Sequence, residues 1–389
     1  MERYPNCMVL LSMLLLVFVS VSDAETRSQM SASQREGDDL IWEGIHAFYN
    51  YEFEKSVRVL STARDQYPDH PVVHFTWAVA EWLKAQAYDG VEESYASLEQ
   101  SLDEVIPVYE DLVHQFPKEP LYQLYLAASK GLKARVHLGK KEWLGVVFEG
   151  IKGYRSVASV YRQYPELWDA YFPLGMLNYY VGISSPIVRF LAGLFGLEAD
   201  KEIGLSQIQL SAEKGEFSWI EANFTLIFIY LWIDDDYESS LPLTFRFREL
   251  FPASIYNQHL YTESLIRVGR LDEAEENLDL TFQMVEDLPP ISKRGWIPTL
   301  KYQRALLEFH RKEYNNSLVW VTESINEFHT ELDTPLGFGY VLRGNIYDIK
   351  DQRKLAVTDY RAALDLANYT SAMRHAKRYL QKPFQEPGF

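Results

Sequence analysis

The stretch that decides the fold is YVLRGNIYDIKDQRKLAVTDYRAA, residues 340–363. Ala356, Tyr360 and Ala363 follow one another at spacings of four and three residues, which places them on one face of an α-helix. Residues 269–282 carry a similar apolar stripe, with acidic residues near its start, where the helix dipole favours them. We see no convincing run of alternating apolar and polar residues that would predict a β-strand. We therefore expect an all-α protein.

Breaks between the helical stretches recur at regular intervals. Four helix-like segments are each followed by an aromatic residue and a proline, at 67–68, 116–117, 164–165 and 251–252, and these prolines are 49, 48 and 87 residues apart. Proline ends a helix because it has no N–H group and clashes with the preceding turn. Since the last interval is close to two periods, the breaks predict a chain of helical repeats.

Residues 340–363 resemble one tetratricopeptide repeat. That motif has large residues at positions 4, 11 and 24 and small residues at positions 8, 20 and 27. Those positions are held here by Tyr340, Gly344, Tyr347, Ala356, Tyr360 and Ala363. An N-terminal repeat matches with Leu40, Gly44, Ser56, Leu60 and Ala63, with Ala47 at one aromatic position, and a weaker match is formed by Ala305, Ser317 and Val321. The resemblance implies a right-handed α-solenoid of about eight antiparallel hairpins, in which small residues let the helices approach.

The predicted repeat domain covers residues 38–369. Its middle part, at about 70–216, has breaks about 48 residues apart instead of the 34 of the motif, so we expect longer helices or inserts there. Residues 370–389 are predicted to form a capping helix and a tail. Residues 25–37 are rich in polar residues and are predicted to be a flexible leader.

Residues 1–24 are typical of a secretory signal peptide, because a 14-residue apolar run is followed by small residues. A cleaved signal peptide predicts a periplasmic or an extracellular protein without a membrane span. An uncleaved membrane anchor is the alternative, although a span needs about 20 apolar residues. The one cysteine, Cys7, lies in this segment, so disulfides and thiolate chemistry are excluded from a mature chain.

The net charge and the motifs of the sequence argue against several classes of protein function. The formal net charge is −17, which argues against nucleic acid as the main partner. Catalytic and cofactor-binding motifs are missing from the sequence, so we expect no enzyme, no cofactor and no metal site. His70 and His74 are interpreted as ordinary surface histidines, and Asp234–Asp236 as a solvated acidic turn.

The resemblance also implies where a partner binds. In tetratricopeptide proteins the first helices of successive repeats line a concave groove that holds a peptide or helix of another protein. The corresponding residues here are Tyr256, His259, Glu263, Thr299, Tyr302, Phe309, Phe338, Val341, Asn345 and Asp348. Rigid aromatic groups with polar neighbours suit such recognition. The expected function is a secreted or periplasmic scaffold for a protein or peptide, with an envelope-associated complex as one setting.

Two apolar segments leave alternatives open. Trp168, Phe172, Met176 and Tyr179 share one helix face, which would either bind an envelope polymer or carbohydrate or pack in the core. Residues 185–197 are strongly apolar and would form either a packed insert or an exposed binding patch.

Overall fold

The computed structural model describes residues 35–386 apart from 141, 195, 198, 199 and 331. These described residues form eighteen α-helices and no β-strand, so the all-α prediction is confirmed. The predicted signal peptide and most of the predicted leader fall in residues 1–34, outside the described residues. The chain divides into two compact units, Met1–Leu226 and Ile227–Phe389.

The N-terminal unit is built from helices that pack on their neighbours in the chain. These helices are α1 (Asp38–Tyr49), α2 (Phe53–Gln66), α3 (Val73–Tyr88), α4 (Val91–Gln115), α5 (Pro120–Gly139), α6 (Trp143–Gln163), α7 (Tyr171–Gly182), α8 (Pro186–Leu194), α9 (Lys201–Lys214) and α10 (Trp219–Phe228), whose last residues belong to the next unit. Each helix from α1 to α7 contacts the next one, and α9 packs against α7. Within the range of 70–216, where longer helices or inserts are predicted, α4, α5 and α6 are 25, 20 and 21 residues long.

The C-terminal unit is also built from helices that pack on their neighbours in the chain. After a π-helical turn (Ile229–Ile233) it contains α11 (Tyr237–Leu250), α12 (Ile255–Arg267), α13 (Leu271–Val285), α14 (Pro290–His310), α15 (Tyr314–Glu327), α16 (Thr334–Ile349), α17 (Arg353–Asp365) and α18 (Ser371–Gln381). Each helix contacts the next one. Short connections between packed neighbours make successive helices hairpins.

The hairpins have the close helix contacts that the small residues predict. A Cβ atom on Gly44 would lie 2.5 Å from Cγ of Leu60, on the other helix of its hairpin. A Cβ atom on Gly344 would lie 2.5 Å from Cε1 of Tyr360. The hydroxyl of Ser56 also donates a 2.7 Å hydrogen bond to the carbonyl of Gly44. Glycine is therefore required where α1 meets α2 and where α16 meets α17.

In each unit, segments far apart in the chain are joined directly. In the N-terminal unit, Arg35 forms a 2.5 Å ion pair with Glu216, and the ring of Trp42 stacks on Phe217 with centroids 5.5 Å apart. In the C-terminal unit, Asp235 accepts hydrogen bonds from the side chains of Ser371, Arg374 and His375 on α18. The predicted solvated acidic turn is therefore wrong in one respect, since Asp235 anchors the last helix.

Candidate functional site

The residues predicted to line a groove lie on α12, α14 and α16, which are neighbours in the C-terminal unit. Most of them have buried side chains: His259, Glu263, Thr299, Tyr302, Phe338, Val341, Asn345 and Asp348. Tyr256 and Phe309 are half-buried. The structure thus brings these residues together, but it covers most of them with other side chains of the same unit.

A buried polar network explains part of that burial. The carboxylate of Glu263, which is 0% exposed, accepts hydrogen bonds from Nε of Arg267 (3.0 Å), from Oη of Tyr302 (3.3 Å) and from Nε2 of Gln303 (3.2 Å). Arg267 also donates to Tyr302 at 2.8 Å. Burial alone lowers the pKa of Arg267, but the neighbouring Tyr302 and Glu263 raise it above its ordinary value. These groups therefore hold α12 against α14, because removing one partner would leave a buried charge unpaired.

Asp348 and Asn345 take part in a second set of internal bonds. The hydroxyl of Tyr360 lies 3.0 Å from Oδ1 of Asn345 and 2.9 Å from Oδ2 of Asp348. Arg353 also donates to Asp348, at 2.9 Å. The predicted groove residues of α16 thus connect this helix to α17.

An aromatic cluster around His259 was not anticipated from the sequence. The rings of Trp232 and Trp296 each lie with their centroids 5.8 Å from the centroid of His259. Tyr256 lies 6.5 Å from the same ring. Burial lowers the pKa of His259, so this imidazole stays neutral at physiological pH.

The second aromatic face lies in the core of the N-terminal unit. Phe172, Met176 and Tyr179 on α7 are buried, and Trp168 is half-buried in a short 3₁₀ turn before that helix. Nζ of Lys214 lies 4.8 Å from the ring of Trp168. This face is therefore covered by the unit itself.

Unlike the second aromatic face, the apolar segment at 185–197 carries large side chains that are exposed. It contains α8, on which Phe190 is 68% exposed and Leu194 is 66% exposed. These two side chains are four residues apart and lie on one face of the helix. Large exposed apolar side chains that lie side by side occur at contact surfaces.

The two histidines predicted to lie on the surface are buried, and that interpretation is wrong. Nε2 of His70 is 2.8 Å from Oδ1 of Asp38, and Arg64 donates to Nδ1 of His74 at 3.2 Å. Among the described residues, no group of three histidine, cysteine, aspartate or glutamate side chains is placed to hold a metal ion. The helices described are also too short or too polar to cross a membrane.

A cavity of 420 Å³ opens beside the first two aromatic–proline turns, and we call it the turn cavity. It is formed by Arg35, Glu36, Gln66, Tyr67, Pro68, Asp69, His70, Pro71, Glu119 and Tyr122. The hydroxyl of Tyr122 donates to the carbonyl of Asp69 at 2.5 Å, which ties the start of α5 to the turn between α2 and α3. Three distant segments of the N-terminal unit therefore build one concave site.

The lining of the turn cavity contains more carboxylates than cations. The guanidinium of Arg35 is bound to Glu216 and lies 5.7 Å from the ring of Phe217, outside the lining. Glu36 and Asp69 make no side-chain hydrogen bond or ion pair with any described residue, and Glu119 accepts only the backbone N–H of Leu121, at 3.3 Å. Within the described part of the chain, the cavity therefore presents three carboxylates that no cation hydrogen-bonds, although the charge of Glu119 acts on Arg35.

Comparisons with known proteins do not assign this chain to a family. The chain matches no family model, and no curated protein matches it. Among solved structures, a tetratricopeptide repeat protein from Parabacteroides merdae is 13% identical, with 89% of this chain and 97% of that chain covered and a TM-score of 0.31. Yeast Tom70 is 11% identical, with 91% of each chain covered and a TM-score of 0.37. NprR in complex with its cognate peptide NprX is 12% identical, with 91% of this chain and 86% of that chain covered and a TM-score of 0.36. Because these TM-scores are low, the all-α fold is described from the helices of this chain alone.

Proposed function

We propose that this protein is a non-enzymatic scaffold that binds a segment of a partner protein, and that the segment docks at the turn cavity. The observation that carries the proposal is the lining of the cavity, where two tyrosines lie beside three carboxylates that no described cation hydrogen-bonds. Its volume falls in the range of about 300–1,000 Å³ that is usual for binding sites. Rigid aromatic side chains with polar groups around them are common anchors in recognition.

The surroundings of the cavity suit a polypeptide. Pro68 and Gln66 are exposed at its edge, and the ring of Tyr67 is half-buried. A partner segment that entered the cavity with one side chain would thus also find surface for its neighbours. The net charge of −17 favours a partner that carries positive charge.

The use of titratable side chains also supports a binding role. His70 is bonded to Asp38, Glu263 to Arg267, and Asp235 to His375, each inside its own unit. A catalytic acid or base must reach the atoms of a substrate. Side chains that hold helices together are poor candidates for this task.

The exposed face of α8 is a second surface that the scaffold offers. Phe190 and Leu194 lie on the same unit as the turn cavity. We propose that they add apolar contact area to the same complex, since buried apolar surface is the main source of association free energy.

The proposed location is the periplasm or the extracellular space, with cleavage after Ala24. This part of the proposal rests on the apolar run and the small residues of the sequence. The intact mass of the protein purified from the cells that make it checks it, because a chain that still carries residues 1–24 would be a membrane-anchored or an uncleaved protein.

Binding is tested with a random peptide library displayed on phage and selected against the purified chain. Selected peptides are then photocrosslinked to two variants with benzoylphenylalanine, one at Gln66 in the cavity lining and one at the exposed Gln100 on α4. Gln115 is the last residue of α4, directly before the Phe116–Pro117 turn beside the cavity. Gln100 lies about 22 Å from it along the helix, so a crosslink at residue 100 reports contacts elsewhere on the unit.

We expect crosslinks at residue 66 and few at residue 100. A selection that enriches no peptide would contradict a peptide-binding function. Equal crosslinking at both positions would contradict docking at the turn cavity.

A further inference from the structure

We infer that the turn cavity receives a cationic side chain, lysine or arginine, from the bound segment. This inference rests on the proposed function and specifies its ligand. Among the residues that the structure describes, no cation is hydrogen-bonded to the lining carboxylates of Glu36, Asp69 and Glu119. A lysine ammonium or an arginine guanidinium would supply the missing counter-charge.

Arg35, the one guanidinium of the lining, supplies only part of that counter-charge, because it is hydrogen-bonded to Glu216 and its charge also acts on Glu119. Arg35 points its guanidinium to Glu216, at 2.5 Å, and its pKa is raised although burial alone would lower it. Glu216 has a raised pKa because it is buried, and the Arg35 bond counteracts this. The Arg35–Glu216 pair is therefore neutral as a whole, and the negative charge of the lining remains.

The other cavity walls suit the stem and head of such a side chain. Pro68 and Pro71 offer apolar surface for methylene groups. The rings of Tyr67 and Tyr122 border the same space, and aromatic faces attract cations. A cavity with carboxylates alone would not distinguish a lysine from any other cation.

A bare metal ion fits this lining less well. Ca²⁺ requires six to eight oxygen ligands close together, whereas rings and prolines occupy much of this wall. The described residues also contain no cluster of carboxylates and imidazoles that could hold a metal ion. The lining therefore favours an organic cation with an apolar stem.

The test uses the full chain and three labelled peptides that differ in one residue type. Each is a 12-residue peptide with blocked ends and a glycine–serine background, and it carries lysine, norleucine or glutamate at every third position. Fluorescence anisotropy measures binding, and added CaCl₂ at the peptide concentration tests for competition by the metal.

Four variants locate the binding site. Glu36→Gln, Asp69→Asn and Glu119→Gln each remove one lining charge. The matched control is Glu166→Gln, because Glu166 follows the sequence Tyr164-Pro165 just as Asp69 follows Tyr67-Pro68, but lies outside the cavity. Glu36 and Asp69 make no side-chain bonds with described residues, so their variants should keep the melting temperature of the parent.

We expect the lysine peptide to bind at least tenfold more tightly than the norleucine and glutamate peptides. Each lining variant should weaken binding by about two- to fivefold, which is the effect of one partly exposed charge pair. The Glu166→Gln variant should bind as the parent does. A fourth peptide of the same design, with arginine in place of lysine, should bind as the lysine peptide does.

The opposite results overturn the inference in distinguishable ways. Equal loss in Asp69→Asn and Glu166→Gln would mean that only the overall negative charge attracts the peptide. Equal binding of the norleucine peptide would mean an apolar site, and displacement by CaCl₂ would mean a metal site. Selected peptides that crosslink at residue 66 without any basic residue would leave the proposed function standing while this inference fails.

Discussion

Nε2 of His74 lies 2.7 Å from the carbonyl oxygen of Pro68, six residues earlier in the chain. Because Arg64 donates to Nδ1 of the same ring, Nε2 carries the proton and donates to Pro68. The same bond recurs at the other three aromatic–proline turns, where the donors are Gln123, Tyr171 and Gln258, each six residues after the proline. Each turn is thus fixed by a side chain from the start of the next helix, which satisfies the proline carbonyl just beyond the end of the preceding helix.

Replacing Gln258 with methionine should destabilise the C-terminal unit. The side chain is buried, and its Nε2 donates to the carbonyl of Pro252 at 2.7 Å, so the substitution removes a hydrogen bond made by a buried donor. The expected cost is about 0.5–1.5 kcal/mol. Gln123→Met is the matched control, because Gln123 is half-buried and water can replace it. Urea unfolding measures both variants, and equal costs would mean that burial of the donor Gln258 does not strengthen its bond to the turn.

Gly44→Ala should destabilise the N-terminal unit by about 1–3 kcal/mol, because the new methyl group would overlap the buried Leu60. Gly131→Ala, on α5 of the same unit, is the control. A Cβ atom there has nothing within 4 Å, so this variant should be more stable than the parent by about 0.5–1 kcal/mol. Thermal melts of the two variants should therefore shift in opposite directions.

Stability should fall with rising pH because of Glu221. Burial raises the pKa of Glu221 from its ordinary 4.5 to about 8, although the hydrogen bond from Tyr49 lowers it. In the unfolded chain the carboxyl ionises near pH 4.5, while in the folded chain it keeps its proton until about pH 8. Its contribution is therefore full below pH 4.5 and is lost as pH rises through about 8, at up to about 1.4 kcal/mol per pH unit.

Glu221→Gln should remove that dependence and keep the bond from the Tyr49 hydroxyl. The difference in unfolding free energy between parent and variant, measured in urea at pH 5, 6, 7 and 8, isolates this one group. A difference that stays constant over this range would show that Glu221 titrates at its ordinary pKa in the folded protein.

Asp235→Asn should loosen α18 from the C-terminal unit. Burial alone raises the pKa of Asp235, but bonds from His375 and Ser371 lower it well below its ordinary value. The charged form is therefore the stabilising one, and its contribution is lost as pH falls below the ordinary value of 3.8. At neutral pH we expect faster amide hydrogen exchange over Ser371–Gln381 and a loss of about 1–3 kcal/mol.

Asp351→Asn is the control for the backbone at this position. Asp235 and Asp351 both have φ of 58°, a left-handed conformation that asparagine also tolerates. The carboxylate of Asp351 has no hydrogen bond to another described residue, so its replacement should leave exchange over α18 unchanged. Equal effects of the two substitutions would assign the loss to the backbone and not to the helix anchor.

The hairpins could be predicted from the sequence because their contacts follow from short spacings. Gly44 and Ser56 are twelve residues apart and meet in one hairpin, as the repeat pattern predicts. The buried network could not be predicted in this way, since Glu263 and Tyr302 are 39 residues apart. The pattern placed both on inner helices but did not reveal that they bind each other.

The sequence pattern gave no indication of the turn cavity, because Glu36, Asp69 and Glu119 come from three separate segments. One available signal was missed: a residue able to donate from its side chain stands six positions after all four prolines. That regularity would have placed His74 against the turn and shown that it is not an ordinary surface residue.

The direct links between the ends of each unit set the order in which the molecule assembles. Neighbouring hairpins meet after only a few tens of residues, whereas Arg35 must find Glu216 across 181 positions and His375 must find Asp235 across 140. Chain entropy makes such distant encounters costlier and slower than local ones. The hairpins should therefore form first and the two end-to-end links last. We expect the same links to be the first contacts that break when the native molecule opens locally.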